Sequence, residues 1–275
     1  MKMNTYWRIV LLFALSCAFS WFGIAGNWLW PSAYWPTPIM PLGPLIAAIV
    51  TLWLTSGVAG LRIWFYRILR FRAPVWIYAV AFFVPLAVIA ASAGLAIAVG
   101  VPHRPLPDYT LLEYTIFVPI VMIMGPAPEE LAFRGFGQHT LQRHASPLIA
   151  SLLVGLGVVV WHIPLFAAHE IPSTIAIAIV AVSVVYAWLY NMSRSVWPLV
   201  VLHFVQNYFG GGIFGRMFAP DDTWVWLGFL GAIYVVWALI LVWRFGPGLG
   251  RSVGHMARRP ASHEDRWPRL SEVQS

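Results

Sequence analysis

Pro126-Ala127-Pro128-Glu129-Glu130-Leu131-Ala132-Phe133-Arg134 is the stretch on which the reading of this chain turns. Two adjacent carboxylates and an arginine stand inside an apolar run that begins near 111 and continues to 143. Ionisable side chains in such a setting are costly and face a bundle interior rather than lipid. The two prolines mark a broken helix that restarts near Pro128, since proline is well tolerated in a first helical turn. Glu130 and Arg134 share a helix face at a spacing of four, so an ion pair there neutralises both. Glu129 points about 100° away and lacks that partner. At the α-helical rise, the segment from Glu129 to Arg143 spans about 21 Å, which puts Glu129 deep in a bilayer.

The rest of the chain agrees with a membrane setting. Of 275 residues, 60% are hydrophobic and 10% charged, which excludes an ordinary soluble globule and a disordered chain. The net charge of +7 does not indicate nucleic-acid binding, because the basic residues are scattered between apolar blocks. The lone cysteine, Cys17, cannot form an intrachain disulfide and reads as a small buried hydrophobe.

A membrane helix needs about 20 mostly apolar residues. On that measure the spans fall at 9–26, 41–60, 75–100, 111–125 continued into 129–143, 148–168, 172–190, 196–212 and 224–243. Between the first two lies the proline-rich break with Pro31, Pro36, Pro38, Pro41 and Pro44. The first span reads as a retained helix, for no clean small-x-small cleavage site follows it. The expected fold is all-α: a polytopic bundle of about eight helices, forming one domain over 1–245 with a polar tail over 246–275.

Eight spans put both termini on one side. Fourteen basic residues fall on that side: Lys2, Arg8, Arg62, Arg67, Arg70, Arg72, Arg143, Arg194 and the six arginines from Arg244 onward. Only Arg104 and Arg216 fall opposite. The positive-inside rule then places both termini in the cytoplasm. Trp28, Trp30, Trp35, Trp224 and Trp226 lie where interfacial belts are expected.

Two further polar sites interrupt the apolar runs. His162, in Trp161-His162-Ile163-Pro164, is about 22 Å from Pro147, a depth it shares with Glu129. His203 and Asn207 are four apart on one helix face, although a span beginning near 196 leaves His203 shallow. Alone, a histidine with an asparagine can be glue between membrane helices. Three such places on three spans are harder to explain that way. His139, His144, His103 and His169 read as solvated, and Glu113 as interfacial.

A buried glutamate beside a histidine can take a proton from water, and a histidine with an asparagine can stabilise an oxyanion. That combination suits amide hydrolysis without a Ser, Cys or Thr nucleophile. Glu129, His162 and His203 are equally a set that could hold Zn²⁺ with one open position, and spacing does not decide between the two. Neither H-E-x-x-H nor G-x-S-x-G occurs.

These residues resemble the CPBP family of intramembrane proteases, the CAAX-processing and bacteriocin-processing group. Its pattern is E-E-x-x-x-R, then F-x-x-x-H, then H-x-x-x-N on successive membrane helices. Glu129, Glu130 and Arg134 match the first motif, with Phe133-Arg134-Gly135 as its usual continuation; His203 and Asn207 match the third. His162 matches the second, but Val158 stands where the family has phenylalanine, which bears on substrate fit more than on catalysis. The resemblance covers about 110–210. It implies that Glu129 with His162 activates water, that His203 and Asn207 stabilise the oxyanion, and that Glu130 and Arg134 are a supporting pair. It leaves Zn²⁺ open. The implied partners are the bilayer and a membrane-associated peptide or protein, prenylated CAAX C-termini and leader-type peptides among them. The alternatives are a non-catalytic scaffold or self-immunity protein of the same family, and a transporter. A transporter fits less well, because no second interrupted segment stands in another half of the chain.

Overall fold

The structure is a computed structural model that describes residues 4–29 and 39–251. Lys2, Pro31, Pro36, Pro38, Trp30, Trp35, His255, His263 and the tail from 252 lie outside the described residues, as does the side chain of Trp28. The described residues contain helices and connections and no strand. In chain order the helices are α1 (Thr5–Ser20), α2 (Phe22–Leu29), α3 (Gly43–Ile68), α4 (Val75–Ala98) and α5 (Leu111–Ile123). They continue with α6 (Pro126–Glu129), a π-helical stretch (Glu130–Gln138), α7 (His139–Leu141), α8 (Pro147–Trp161) and α9 (Ile163–Ala167). The last are α10 (Ile175–Ser193), α11 (Trp197–Val205) running into a second π-helical stretch (Gln206–Gly211), and α12 (Thr223–Phe245).

Among the described residues, five helical segments are long and apolar enough to cross a membrane: α3, α4, Leu111–Leu141, α10 and Thr223–Gly248. α1 and α8 are apolar but shorter. The all-α bundle is thus observed, while the expected eight spans are not reproduced as eight long helices.

Local chemistry sets the ends. Thr110 and Glu113 close a reciprocal capping box at the start of α5, and Ser146 caps α8 ahead of Pro147. α3 kinks at Gly57, whose φ of 63° favours glycine, and then runs eight residues past the expected end at 60. Arg62 and Arg67 therefore lie in the helix rather than in a loop.

The backbone is irregular in all three motif-bearing segments, where the sequence marked only one break. α5 ends at Ile123 and α6 begins at Pro126, two residues before the expected restart. The apolar run 148–168 breaks at His162, where Pro164 cannot continue the α8 hydrogen-bond ladder. α11 widens into π-helix from Gln206. Such π segments occur frequently at functional sites.

α10 lies at the centre, packed against α8 on one side and α12 on the other, while α3 packs on α1 and against the first π segment. Trp226, expected in an interfacial belt, is buried, whereas Trp224 is exposed. Cys17 is half-buried in α1. At the C-terminal end Leu249 is fully buried and the Arg251 guanidinium donates to the Gln142 carbonyl, so the chain stays on the bundle through Arg251.

Candidate active site

The first π segment is where the sequence's most costly side chains are spent. Glu130 and Arg134 are almost completely buried, and Arg134 Nη1 donates to Glu130 Oε1 at 3.0 Å. Arg134 is held on two further sides. Its Nη2 donates to Ser183 Oγ at 3.0 Å, and its Cζ lies 4.4 Å from the ring centroid of Tyr186. Ser183 Oγ in turn donates a hydrogen bond to the Ile179 carbonyl, 2.8 Å away. A buried guanidinium needs such saturation, because an unpaired charge costs several kcal/mol.

Glu130 does more than balance Arg134. His203 Nδ1 lies 2.9 Å from the same Glu130 oxygen, so the carboxylate accepts from both groups. A carboxylate acceptor fixes a proton on Nδ1, so Nε2 is an acceptor in the neutral ring and a donor in the imidazolium. Although His203 is only the seventh residue of α11, the helix is set so that it meets the buried pair.

His162 is fixed from the other direction. Its Nδ1 lies 2.8 Å from the Val158 carbonyl, which can only accept, so Nδ1 carries the proton and Nε2 offers a lone pair. The bond goes to backbone, so the exchange of phenylalanine for Val158 does not remove it. The aromatic surroundings are also kept by other residues. Trp161 stands edge-on to the His162 ring at 4.8 Å between centroids, and Phe166 is stacked at 6.2 Å.

Gly125, in the break before α6, explains how Glu129 and Asn207 come together. A Cβ at Gly125 would sit 3.2 Å from Asn207 Nδ2 and 3.2 Å from Glu129 Oε1. The two groups therefore face one small space that only glycine leaves open. Gly135, ten residues on, lets the π segment approach α3, for an added Cβ would come 3.1 Å from Ile68. Arg67 Nη2 donates to the Gly135 carbonyl at 2.7 Å, bracing the π segment from α3.

All six residues singled out in the sequence, Glu129, Glu130, Arg134, His162, His203 and Asn207, line one cavity of about 590 Å³. Val158, Trp161, Leu165, Ile179, Val182, Leu227 and Leu230 give it apolar walls. Four side chains that the sequence reading passed over belong to it or brace it: Ser183, Tyr186, Gln206 and Tyr234. Ser183, Tyr186 and Tyr190 recur at helical spacing in an otherwise apolar run, a polar stripe that marks one face of α10.

The histidines outside the cavity divide. His103, His144 and His169 are exposed, as expected. His139 is not solvated: it is half-buried, with Nδ1 2.9 Å from Tyr190 Oη.

Among the described residues no group of three His, Cys, Asp or Glu side chains is arranged to hold a metal ion. Glu129, His162 and His203 line one cavity without forming such a group.

Residues 111–209 match the family model described as type II CAAX prenyl endopeptidase Rce1-like. No curated protein matches the chain. The matched stretch holds Glu129, Glu130, Arg134, His162, His203 and Asn207. With five helices among the described residues apolar and long enough to cross a bilayer, the chain is an integral membrane protein, and its segment 111–209 is similar to the Rce1-like CAAX prenyl endopeptidases.

Proposed function

We propose that the protein is an intramembrane endopeptidase that hydrolyses a peptide bond of a membrane-associated substrate with a water activated by Glu129 and His162. The observation that carries this reading is the meeting in one cavity of two proton acceptors, Glu129 and His162 Nε2, with Asn207 and with His203, which as the imidazolium paired with Glu130 donates from Nε2. Glu129 takes one proton of the water while His162 Nε2 accepts a hydrogen bond from its second hydrogen. The oxygen adds to the scissile carbonyl carbon, and the carbonyl oxygen becomes an oxyanion. His203, as the imidazolium paired with Glu130, and Asn207 donate to that oxyanion. Glu129 then returns its proton to the leaving nitrogen, so the C–N bond breaks to a carboxylic acid and an amine. Glu130 orients His203 and, with Arg134, keeps a neutral pair at its back.

The family and the apolar walls support substrates that reach the site from the bilayer, and a prenylated CAAX C-terminus is the first to test. Both termini are taken to face the cytoplasm on the arginine asymmetry.

The test is cleavage of a quenched-fluorescent farnesylated CAAX peptide by purified protein in detergent, with and without a strong chelator. Glu129→Gln keeps the shape and removes the base, so kcat is expected to fall by at least about a hundredfold with folding intact. Near-normal turnover in that variant ends the mechanism, and loss of wild-type cleavage on chelation replaces it with a metal-dependent one. No cleavage of this or of leader-type peptides by folded wild-type protein favours a non-catalytic scaffold.

A further inference from the structure

The cavity that holds Glu129 occupies one half of the bundle. α10 lines it from Ile175 to Tyr186 and α12 from Thr223 to Tyr234, in each case the N-terminal half of the helix. These two helices run side by side in the same direction. A Cβ on Gly231 would lie 3.4 Å from the Ala178 side chain, and at the other end the Asn191 amide donates to the Leu249 carbonyl at 3.0 Å. α8 contributes Val158 and Trp161 from its C-terminal end. The connections that precede α10 and α12 add Glu170, Pro172 and Arg216. Glu170, Arg216 and Gly211 of the second π segment are exposed, so the cavity reaches the surface at this end. Here too the Arg104 N–H donates to the Met217 carbonyl, tying the connection after α4 to the one before α12.

The floor lies part-way through the bundle, where Glu130, Arg134, Tyr186 and Tyr234 are buried. At the α-helical rise, Thr223 to Tyr234 spans about 16 Å, a depth that about five residues of extended chain cover. Among the described residues, none from the connections 69–74, 142–146 and 194–196 or from 246–251 lines the cavity. Those segments form the other end of the bundle, where Ser195 Oγ donates to the Arg70 carbonyl and the Arg251 guanidinium to the Gln142 carbonyl. It is the arginine-rich end, with Arg70, Arg72, Arg143, Arg194 and Arg251. A peptide arriving there would have to pass the floor and unpair its buried charges.

We propose that the substrate enters at the opposite end, so that the scissile bond belongs to a segment presented at the membrane face away from the arginine-rich connections. This rests on the endopeptidase reading and names the side from which that site is served. A substrate anchored in the bilayer qualifies, provided that about five residues beside the cut can extend into the cavity. On the arginine asymmetry, this face is the one away from the cytoplasm.

The experiment attaches one bulky polymer to either end. Arg216→Cys and Arg72→Cys, both at exposed positions and each in a Cys17→Ser background, are labelled in detergent with a polyethylene glycol maleimide. Binding of a fluorescent farnesylated CAAX peptide is measured on Glu129→Gln protein and cleavage in the active background, each sample against its own unlabelled half. The polymer on Arg216→Cys is expected to abolish binding and cleavage, whereas on Arg72→Cys it leaves Kd and kcat unchanged. Glu170→Cys, in the other connection at the mouth, answers the same question should Arg216→Cys fail to fold. In intact expressing cells an impermeant maleimide should reach Arg216→Cys from outside and Arg72→Cys only after lysis; the reverse pattern overturns the assigned face. Loss of binding at Arg72→Cys, or at neither position, overturns the inference, while cleavage by wild type leaves the endopeptidase standing. Binding without cleavage by wild type removes the endopeptidase but leaves the polymer comparison decisive, and no binding at all ends both.

Discussion

Leu111–Leu141 is one apolar span with two opposite halves. In the first, α5, not one residue is buried, although almost every side chain is hydrophobic: Leu111, Leu112, Ile116, Phe117, Ile120 and Ile123 are all exposed. In the second, from Pro126 to Leu141, Glu129, Glu130, Arg134, Gln138 and Thr140 are buried beside Ala132, Phe133 and Phe136. A soluble protein would sort these halves the other way. In a bilayer the tails are as apolar as leucine, so burying α5 gains little, while every polar group must find its partners inside the bundle. The span's polarity, not its hydrophobicity, decides which half becomes core.

The largest effect should come from breaking the polar half. Arg134→Ala removes the guanidinium from Glu130, Ser183 and Tyr186 together, leaving Glu130 with His203 alone. Stranding one partner of a buried pair costs about 3–5 kcal/mol, so the variant should unfold at a markedly lower temperature or fail to accumulate. Pairing it with Glu130→Gln should recover part of that loss, because no lone charge remains. Thermal unfolding in detergent measures both. An Arg134→Ala protein as stable as wild type would mean that the pair is solvated and the contrast between the halves is only apparent.

How much of this contrast was legible in the sequence depends on the distance between partners. The broken span and the Glu130–Arg134 pair are local, so proline placement and a spacing of four suffice to find them. Even there, the restart fell at Pro126 rather than Pro128, because Met124 and Gly125 already interrupt the helix. What failed was long-range. Arg67 looked like a loop charge until α3 proved long enough to bring it to Gly135, 68 residues away. His139 looked solvated because Tyr190 is 51 residues on. Glu130 looked complete with Arg134, and its second partner His203 lies 73 residues away. The candidate site residues were nonetheless nameable, since an ionisable or amide side chain in an apolar run is conspicuous without any knowledge of its partner. Their bracing was not, since Ser183 and Tyr186 are ordinary residues in a helix.

A middling effect should follow from loosening the support of the polar half without touching its charges. Gly155 on α8 faces α10 at a close contact between the two helices. A Cβ there would come 2.9 Å from Ser183 Oγ and 3.1 Å from the Val180 Cα, and the latter is backbone that cannot turn aside. Gly155→Ala therefore presses on the very hydroxyl that accepts from Arg134. Overpacking of this kind costs about 1–3 kcal/mol, which a lowered unfolding temperature would register. Small residues are what let membrane helices approach, so leucine at this position should be worse than alanine. An unchanged melting temperature in Gly155→Ala would mean that α10 can shift without cost, and Arg134 would then not depend on its exact place.

The smallest effect should come from truncating the apolar half. Ile116 on α5 is half exposed, and the helix touches the rest mainly through α6, the second π segment and the bond from Tyr208 Oη to the Tyr114 carbonyl. Ile116→Ala leaves no cavity, since lipid fills the space, and alanine is the better helix former. The change in unfolding free energy should stay within about 0.5 kcal/mol, as for surface sites elsewhere. The same truncation inside the second half, at Phe133, removes a fully buried ring stacked on Phe13 and should cost about 3–5 kcal/mol. The ratio of the two losses measures how far lipid replaces protein as the partner of α5. A loss at Ile116 approaching that at Phe133 would mean that α5 is covered by another protein surface in the membrane, and its exposed face would then be an interface rather than a lipid contact.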